Sequence, residues 1–254
     1  YCMIISKLFL KFILYSIMGW IWESIFCTLK EGEWQDRGFL FGPVCPIYGV
    51  GAITVSLLFT YIPVLNYGYI PVWQIFLICA VGSAVLEYMT SFVLEKIFHA
   101  KWWDYSDVFL NINGRICLPA SLGFGVAGVV IVRYLFPVID GAWLNIPGIL
   151  AELLALFFMA VFAADLALTL ASLTQLLTQL SHYEEEFNQI MATKYQIVGE
   201  KQGQLVGKVT EYASHLSLTQ RHALGKIKNF SLPSRNEAAA RIKESLLKLP
   251  KFRR

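Results

Sequence analysis

The chain has 254 residues, of which 56% are hydrophobic and only 15% charged, with a mean hydropathy of +0.55; an ordinary soluble domain carries about a quarter charged residues. Residues 1–179 hold 8 Lys and Arg against 11 Asp and Glu, and residues 180–254 hold 13 against 7, so a hydrophobic part of net charge −3 precedes a tail of net charge +6. These figures exclude a single water-soluble globule, a secreted disulfide scaffold and a disordered chain.

A helix that spans a bilayer needs about 20 mostly apolar residues. Five stretches meet that length: Leu8–Leu29, Pro46–Leu65, Val72–Phe98, Ile116–Ile139 and Trp143–Leu170. The first is too long for the apolar part of a signal peptide and has no small-residue cleavage site. The expected fold is all-α: a transmembrane helical domain over residues 1–179 with about five spans, then a basic cytoplasmic helical tail over residues 180–254.

The connections set an orientation. Segments 30–45 and 99–115 carry Lys30, Arg37, Lys101 and Arg115, whereas 66–71 and 140–142 carry no Lys or Arg. Basic residues gather on the cytoplasmic side, so the expectation is a multi-pass protein of the cell membrane, N-terminus outside and C-terminus inside. Lys7 and Lys11 argue weakly against it. Trp73, Trp143 and the Trp102–Trp103 pair fall near span ends, where interfacial aromatics sit.

Beyond the last span, Leu173, Leu176, Leu177, Leu180, Phe187, Ile190, Met191 and Ile197 keep a helical spacing, so the fifth helix is expected to continue. Leu205, Val209, Tyr212 and Leu216 form a second amphipathic piece. Ser234 and Glu237 have capping-box spacing, opening a helix that Pro250 should stop. The basic end Lys248–Arg254 suits anionic lipid. Without aromatic interleaving it does not suit nucleic acid, and a docking or self-association arm is the reading adopted.

Cofactor chemistry leaves no signature. The five cysteines form no CxxC pair, three of the four histidines lie in the tail, and there is no HExxH, so no metal site is expected. No Walker A motif occurs in these residues. Gly123-Phe-Gly125-Val-Ala-Gly128 matches a dinucleotide fingerprint, but it lies inside an apolar stretch. There, Ser121 with Gly125 and Gly123 with Ala127 are small-residue pairs for helix packing.

The informative residues are acids within the spans: Glu23, Glu87, Glu95, Glu152 and Asp165. A charge at the bilayer centre costs about 2.5–3.5 kcal/mol on insertion scales, so such residues face a bundle interior or a wet cavity. Ser83, Glu87, Ser91 and Glu95 share one stripe of the third helix, as Ser16, Gly19, Glu23 and Cys27 do on the first. A structural ion pair or a protonated acid bonding between helices is the alternative for each of these acids.

Segment Arg37–Gly51 is apolar yet holds Pro43, Pro46 and four glycines, which reads as a broken start to the second helix or as a plain loop before a kinked one. It brings Cys45 and Tyr48 to the side that carries Arg37. The connection after the third span adds Trp103, Asp104, Tyr105, Asn113 and Arg115. With Glu23, Glu87 and Glu95 these make the candidate inward-facing polar site, in which Arg37 and Arg115 bind an anion or neutralise the acids.

These residues resemble the bacterial family described as Putative ABC-transporter type IV (CmpB-like). The matching elements are Gly19-Trp20 with Glu23, the segment Arg37–Gly51, Leu86-Glu87-Tyr88 with Leu94-Glu95-Lys96, Trp102–Ser106 and Asn113–Leu118, over roughly Leu14–Arg133. The resemblance implies a multi-spanning transporter permease, and hence an ATPase on a separate subunit. The expected function is membrane transport, with the lipid bilayer, that ATPase and a second copy of the chain as partners. Two alternatives stay open: an integral-membrane enzyme with paired carboxylates or Cys45 as its reactive groups, and a scaffold working through the tail.

Overall fold

The structure, a computed structural model, describes residues 2–32, 34, 36–62, 70–144, 146–192, 211–231, 237 and 239–244. It is mainly helical, as expected. Helix α1 covers Cys2–Glu31, a run without proline, and ends at Gly32, whose φ of +76° is the left-handed turn that a helix C-terminus commonly takes. Helix α2 covers Pro46–Tyr61, with Pro46 in the first turn, where a missing N–H costs nothing. Helix α3 covers Val72–Phe98.

A short strand, β1 (Ala100–Lys101), follows, and then a hairpin of β2 (Asn111–Ile112) and β3 (Ile116–Cys117). Its register pairs Asn111 with Cys117 and Ile112 with Ile116. Asn113 and Gly114 turn the chain with φ of +54° and +66°, the left-handed pair that an Asn-Gly turn favours. Helix α4 (Leu118–Val130) then passes through a π turn, Ile131–Leu135, into α5 (Phe136–Leu144). Helix α6 runs unbroken for 45 residues, Gly148–Ala192, so the expected continuation beyond residue 170 is present.

Among the described residues four helices are long and apolar enough to cross a membrane: Ile4–Leu29, Val72–Phe98, Leu118–Gly141 and Gly148–Glu185. The chain is therefore a multi-pass membrane protein. The second expected stretch forms a shorter apolar helix of 16 residues, about 24 Å long at about 1.5 Å per residue, and the irregular residues 38–45 precede it. Burial runs opposite to that of a soluble protein. Ser16 and Ser24 are fully enclosed, while Trp22, Phe26, Leu156 and Phe157 are exposed, the pattern of helices that meet lipid.

By packing the chain falls into two compact units. The first comprises residues 1–93 and 104–166. Its core joins Tyr15 of α1, Phe59 of α2, Ile75 and Cys79 of α3, Val132 of the π turn, and Phe136 and Ile139 of α5. A smaller cluster joins Leu10 of α1 to Ala151 and Ala155 of α6. Lys11 and Asp140 form an ion pair in this unit, and the Arg133 guanidinium donates to the Ile70 carbonyl.

The second unit comprises residues 94–103 and 167–254. Leu173, Leu176, Leu180 and Tyr183 of α6 are buried in it, with Ala213, Leu216, Leu224, Ile227 and Ile242. A capping box opens the helix Leu218–Lys226: Ser217 Oγ accepts the Gln220 N–H at 3.2 Å, and Gln220 Oε1 accepts the Ser217 N–H at 2.9 Å. A further strand, β4 (Asn229–Phe230), pairs antiparallel with β1, Ala100 opposite Phe230. The capping box expected at Ser234 begins outside the described residues, as do Ile197, Leu205, Val209, Pro250 and residues 248–254.

Candidate functional site

Close approach of α1 and α2 builds the first half of the site. A Cβ at Gly49 would stand 2.1 Å from Ser16 Oγ and 2.6 Å from the Phe12 carbonyl, and one at Gly19 would stand 2.2 Å from the Tyr48 ring. Two glycines thus let the backbones meet, as small residues do between helices in lipid. The Tyr48 ring lies over Gly19, tilted against Phe124 at 5.9 Å, and its hydroxyl donates to Glu23 Oε2.

The second half comes from α3 and the connection after it. Glu87 is 7% exposed. Its Oε1 accepts a hydrogen bond from the Tyr105 hydroxyl at 3.4 Å, and its Oε2 has no hydrogen-bond partner. The hairpin places Tyr105, whose backbone N–H donates to the Gly114 carbonyl at 2.8 Å. Burial, then the charges of Glu87 and Glu23, hold the Tyr105 phenol well above its ordinary range, so it stays a donor. Two carboxylates from different helices, each bound by a tyrosine hydroxyl, therefore share one neighbourhood.

Beside them the segment before α2 is irregular from Gly38 to Cys45. Asp165 of α6 holds it. Its Oδ1 accepts the Phe41 N–H at 3.0 Å and its Oδ2 the Gly42 N–H at 2.9 Å. At the other end of the segment the Cys45 N–H donates to the Ser16 carbonyl at 3.0 Å. Backbone groups that no helix satisfies are thus met by α1 and α6, as irregular backbone at membrane depth requires. Among the intramembrane acids, Asp165 is the one that stabilises this segment.

The other candidates have distinct surroundings. Arg37 meets α1 through its backbone, the N–H donating to Ser24 Oγ at 3.5 Å. Arg115 lies over the Tyr88 and Phe92 rings at 5.2 and 5.3 Å and donates to the Tyr88 hydroxyl at 3.1 Å. Asn113 donates to the same hydroxyl at 3.2 Å. Among the described residues neither arginine forms an ion pair with Glu23 or Glu87. Asp104 accepts the Ser106 N–H at 3.0 Å and the Ser106 hydroxyl at 2.5 Å, which closes a turn. Cys45 is 4% exposed, its Sγ 4.0 Å from the Arg37 carbonyl, a setting that shields a thiol rather than activating it. Glu95 and Trp103 belong to the second unit, where the Glu95 carbonyl accepts the His99 N–H at 2.8 Å.

Two glycines of the fingerprint-like stretch, Gly125 and Gly128, serve packing, whereas nothing lies within 4 Å of a Cβ at Gly123. A Cβ at Gly125 would meet Phe76 at 2.7 Å and one at Gly128 would meet Cys79 at 2.4 Å, both on α3. Among the described residues no group of three or more His, Cys, Asp or Glu is placed to hold a metal ion.

The family profile described as Putative ABC-transporter type IV matches residues 10–170, more than half of the chain. No curated protein and no solved structure matches it.

Proposed function

The chain belongs to the family described as Putative ABC-transporter type IV, and from that premise we propose that this membrane transport protein is the permease component of an ABC-type complex. We place the ATPase of that complex outside residues 1–254, which contain no Walker A motif. The polar site is the cluster of Glu23, Tyr48, Glu87 and Tyr105, reached from the cytoplasmic side past the irregular segment that Asp165 holds. The observation that carries this reading is the pair of carboxylates from α1 and α3, each on a tyrosine hydroxyl. Carboxylates in an apolar bundle are expensive, and use at a substrate site is what balances that cost.

The protein lies in the cell membrane with its N-terminus outside. In support, segments 30–45 and 99–115 and the tail carry Lys and Arg whereas 66–71 and 140–142 carry none, and of the two contrary charges, Lys7 and Lys11, the second is paired with Asp140.

Native mass spectrometry of the protein extracted gently from its own membrane tests the reading. The expected species is a complex of this chain, in one or more copies, with a nucleotide-binding subunit. A chain that travels alone, or only with copies of itself, overturns the ABC assignment.

A second reading, a scaffold acting through the tail, draws on the pairing of β4 with β1. Truncation after Leu180 separates the two. A scaffold loses its partner and phenotype, whereas a transporter keeps ligand binding in the first unit.

A further inference from the structure

We propose that the Glu23–Glu87 pair is a binding site for a single positive charge, delivered either as a proton or as the ammonium group of a cationic substrate, with Glu87 Oε2 as the atom that receives it. The inference rests on the reading of this cluster as the polar site and assigns its ligand chemistry.

Three observations lead there. Glu87 is more than nine-tenths buried, and one of its two carboxylate oxygens has no hydrogen-bond donor. A buried polar atom left without a partner is costly, and a native chain rarely keeps one unless water, an ion or a ligand completes it. The groups around it are an acid, two phenols and two thiols: Glu23 from α1, Tyr48 of α2 with Cys45 beside it, and Tyr105 from the connection with Cys117 of β3 beside it. None of them carries a positive charge. Both phenols already donate their protons to carboxylate oxygens and neither thiol is within hydrogen-bond reach of Oε2, so the donor that Oε2 lacks must come from outside this set. Among the described residues no Lys or Arg pairs with either carboxylate, and no third acid or His completes a metal shell. One monovalent donor is the charge that this arrangement accepts.

The balance is simple in both cases. A proton adds to Oε2 and makes it a hydroxyl. An ammonium group donates N–H to Oε2 and leaves the carboxylate ionised beside it.

Thermal unfolding of the purified full-length protein in detergent tests the proposal. The wild type, Glu87→Gln and Glu23→Gln are compared at constant ionic strength across pH, and with methylammonium, tetramethylammonium or sodium chloride. If ammonium is the ligand, methylammonium raises the wild-type midpoint, by about 5–10 °C at about 100 times its Kd. Tetramethylammonium, which has no N–H, and sodium do not, and Glu87→Gln abolishes the effect. If a proton is the ligand, acidification raises the wild-type midpoint relative to Glu87→Gln, and methylammonium has no effect.

Equal pH dependence in wild type and Glu87→Gln, together with no response to methylammonium, overturns the proposal. If Glu87→Gln fails to fold, Glu23→Gln carries the test, since loss of the neighbouring charge must weaken either ligand. The outcome is independent of whether an ATPase subunit co-purifies, so a failure here and a failure of the ABC assignment are told apart.

Discussion

Asp165 Oδ2 accepts the backbone N–H of Gly42 at 2.9 Å, and a Cβ at Gly42 would stand 2.8 Å from that same oxygen. The contact joins residues 123 positions apart and makes an acid of α6 the anchor of the irregular stretch before α2. With the Phe41 N–H bound to Oδ1, the carboxylate satisfies two backbone donors in a setting where water is scarce. Asp165→Ala leaves both unpaired and should cost about 3–6 kcal/mol, at charge-assisted values for each bond. Asp165→Asn should cost less, because its carbonyl oxygen still accepts one of them. Thermal unfolding in detergent reads the loss. Reactivity of Cys45, buried at the end of the same segment, reads its location: the thiol should become reactive in Asp165→Ala and stay inert in the wild type. An unchanged midpoint with an inert Cys45 would remove the anchor role.

Gly49 and Gly19 set the distance between α1 and α2. The Cβ of Gly49→Ala would meet the Phe12 carbonyl at 2.6 Å, a backbone atom that cannot rotate away, so the helices must part. Overpacking of this kind costs about 1–3 kcal/mol. Gly19→Ala pushes on the Tyr48 ring and should also loosen the Tyr48–Glu23 hydrogen bond. Gly123→Ala is the control: nothing lies within 4 Å of its added Cβ, and Ala is the better helix former by about 1 kcal/mol. The midpoints should order as Gly123→Ala at or above wild type, then Gly19→Ala and Gly49→Ala below it. Equal effects at Gly49 and Gly123 would contradict the packing described.

The helices and their polar stripes were legible because both follow from local rules, the length needed to cross lipid and the 3.6-residue period. Val72–Phe98 was bounded from hydropathy alone, and Glu87 stood out as an acid flanked by serines four residues to either side. Partners distant in sequence were not legible. Nothing near Asp165 announces the N–H groups of Phe41 and Gly42, and nothing near Phe230 announces Ala100. The contacts of Arg115 with Tyr88 and Phe92, set by the hairpin that aims it, likewise have no trace in the sequence around it. The hairpin did leave a mark, the Asn113-Gly114 pair. It is a weak mark because the strands on either side are only two residues long. Ser217–Gln220 likewise has capping-box spacing, but the helix it opens has too few apolar residues to show a periodic face.

Lys243, in the helical residues 239–244, donates to the Ile227 carbonyl within the second unit. Burial, then the charge of Lys228, lowers its ammonium to about 8, whereas an unfolded Lys titrates at about 10.4. Below about pH 8 both states are protonated and stability has no slope from this group. Between about pH 8 and pH 10 the unfolded chain binds the extra proton, so stability rises with pH and levels off above it. Other groups titrate in that range, so the test is a difference. The full-length wild type minus Lys243→Met should gain in unfolding midpoint from pH 8 to pH 10. A flat difference would mean that Lys243 is hydrated in solution.

Orientation is open to direct chemical test, because Cys27, Cys45, Cys79 and Cys117 are all buried and give little background. Leu218 is 76% exposed at the start of its helix in the second unit, and Gly141 lies in open space beside Asp140 at the end of the α4–α5 run. In a Cys2→Ser background, Gly141→Cys should react with a membrane-impermeant maleimide on intact cells. Leu218→Cys should react only once the membrane is made permeable. The reverse pattern would put the basic tail outside, against the distribution of Lys and Arg over the connections. It would also turn the Glu23–Glu87 site toward the opposite compartment, because α1, α2 and α3 fix that site at the end of the bundle to which Arg37 and Tyr105 belong. Labelling of both positions on intact cells would show instead that the chain crosses the bilayer a different number of times between them, and α6 would then be the helix to re-examine.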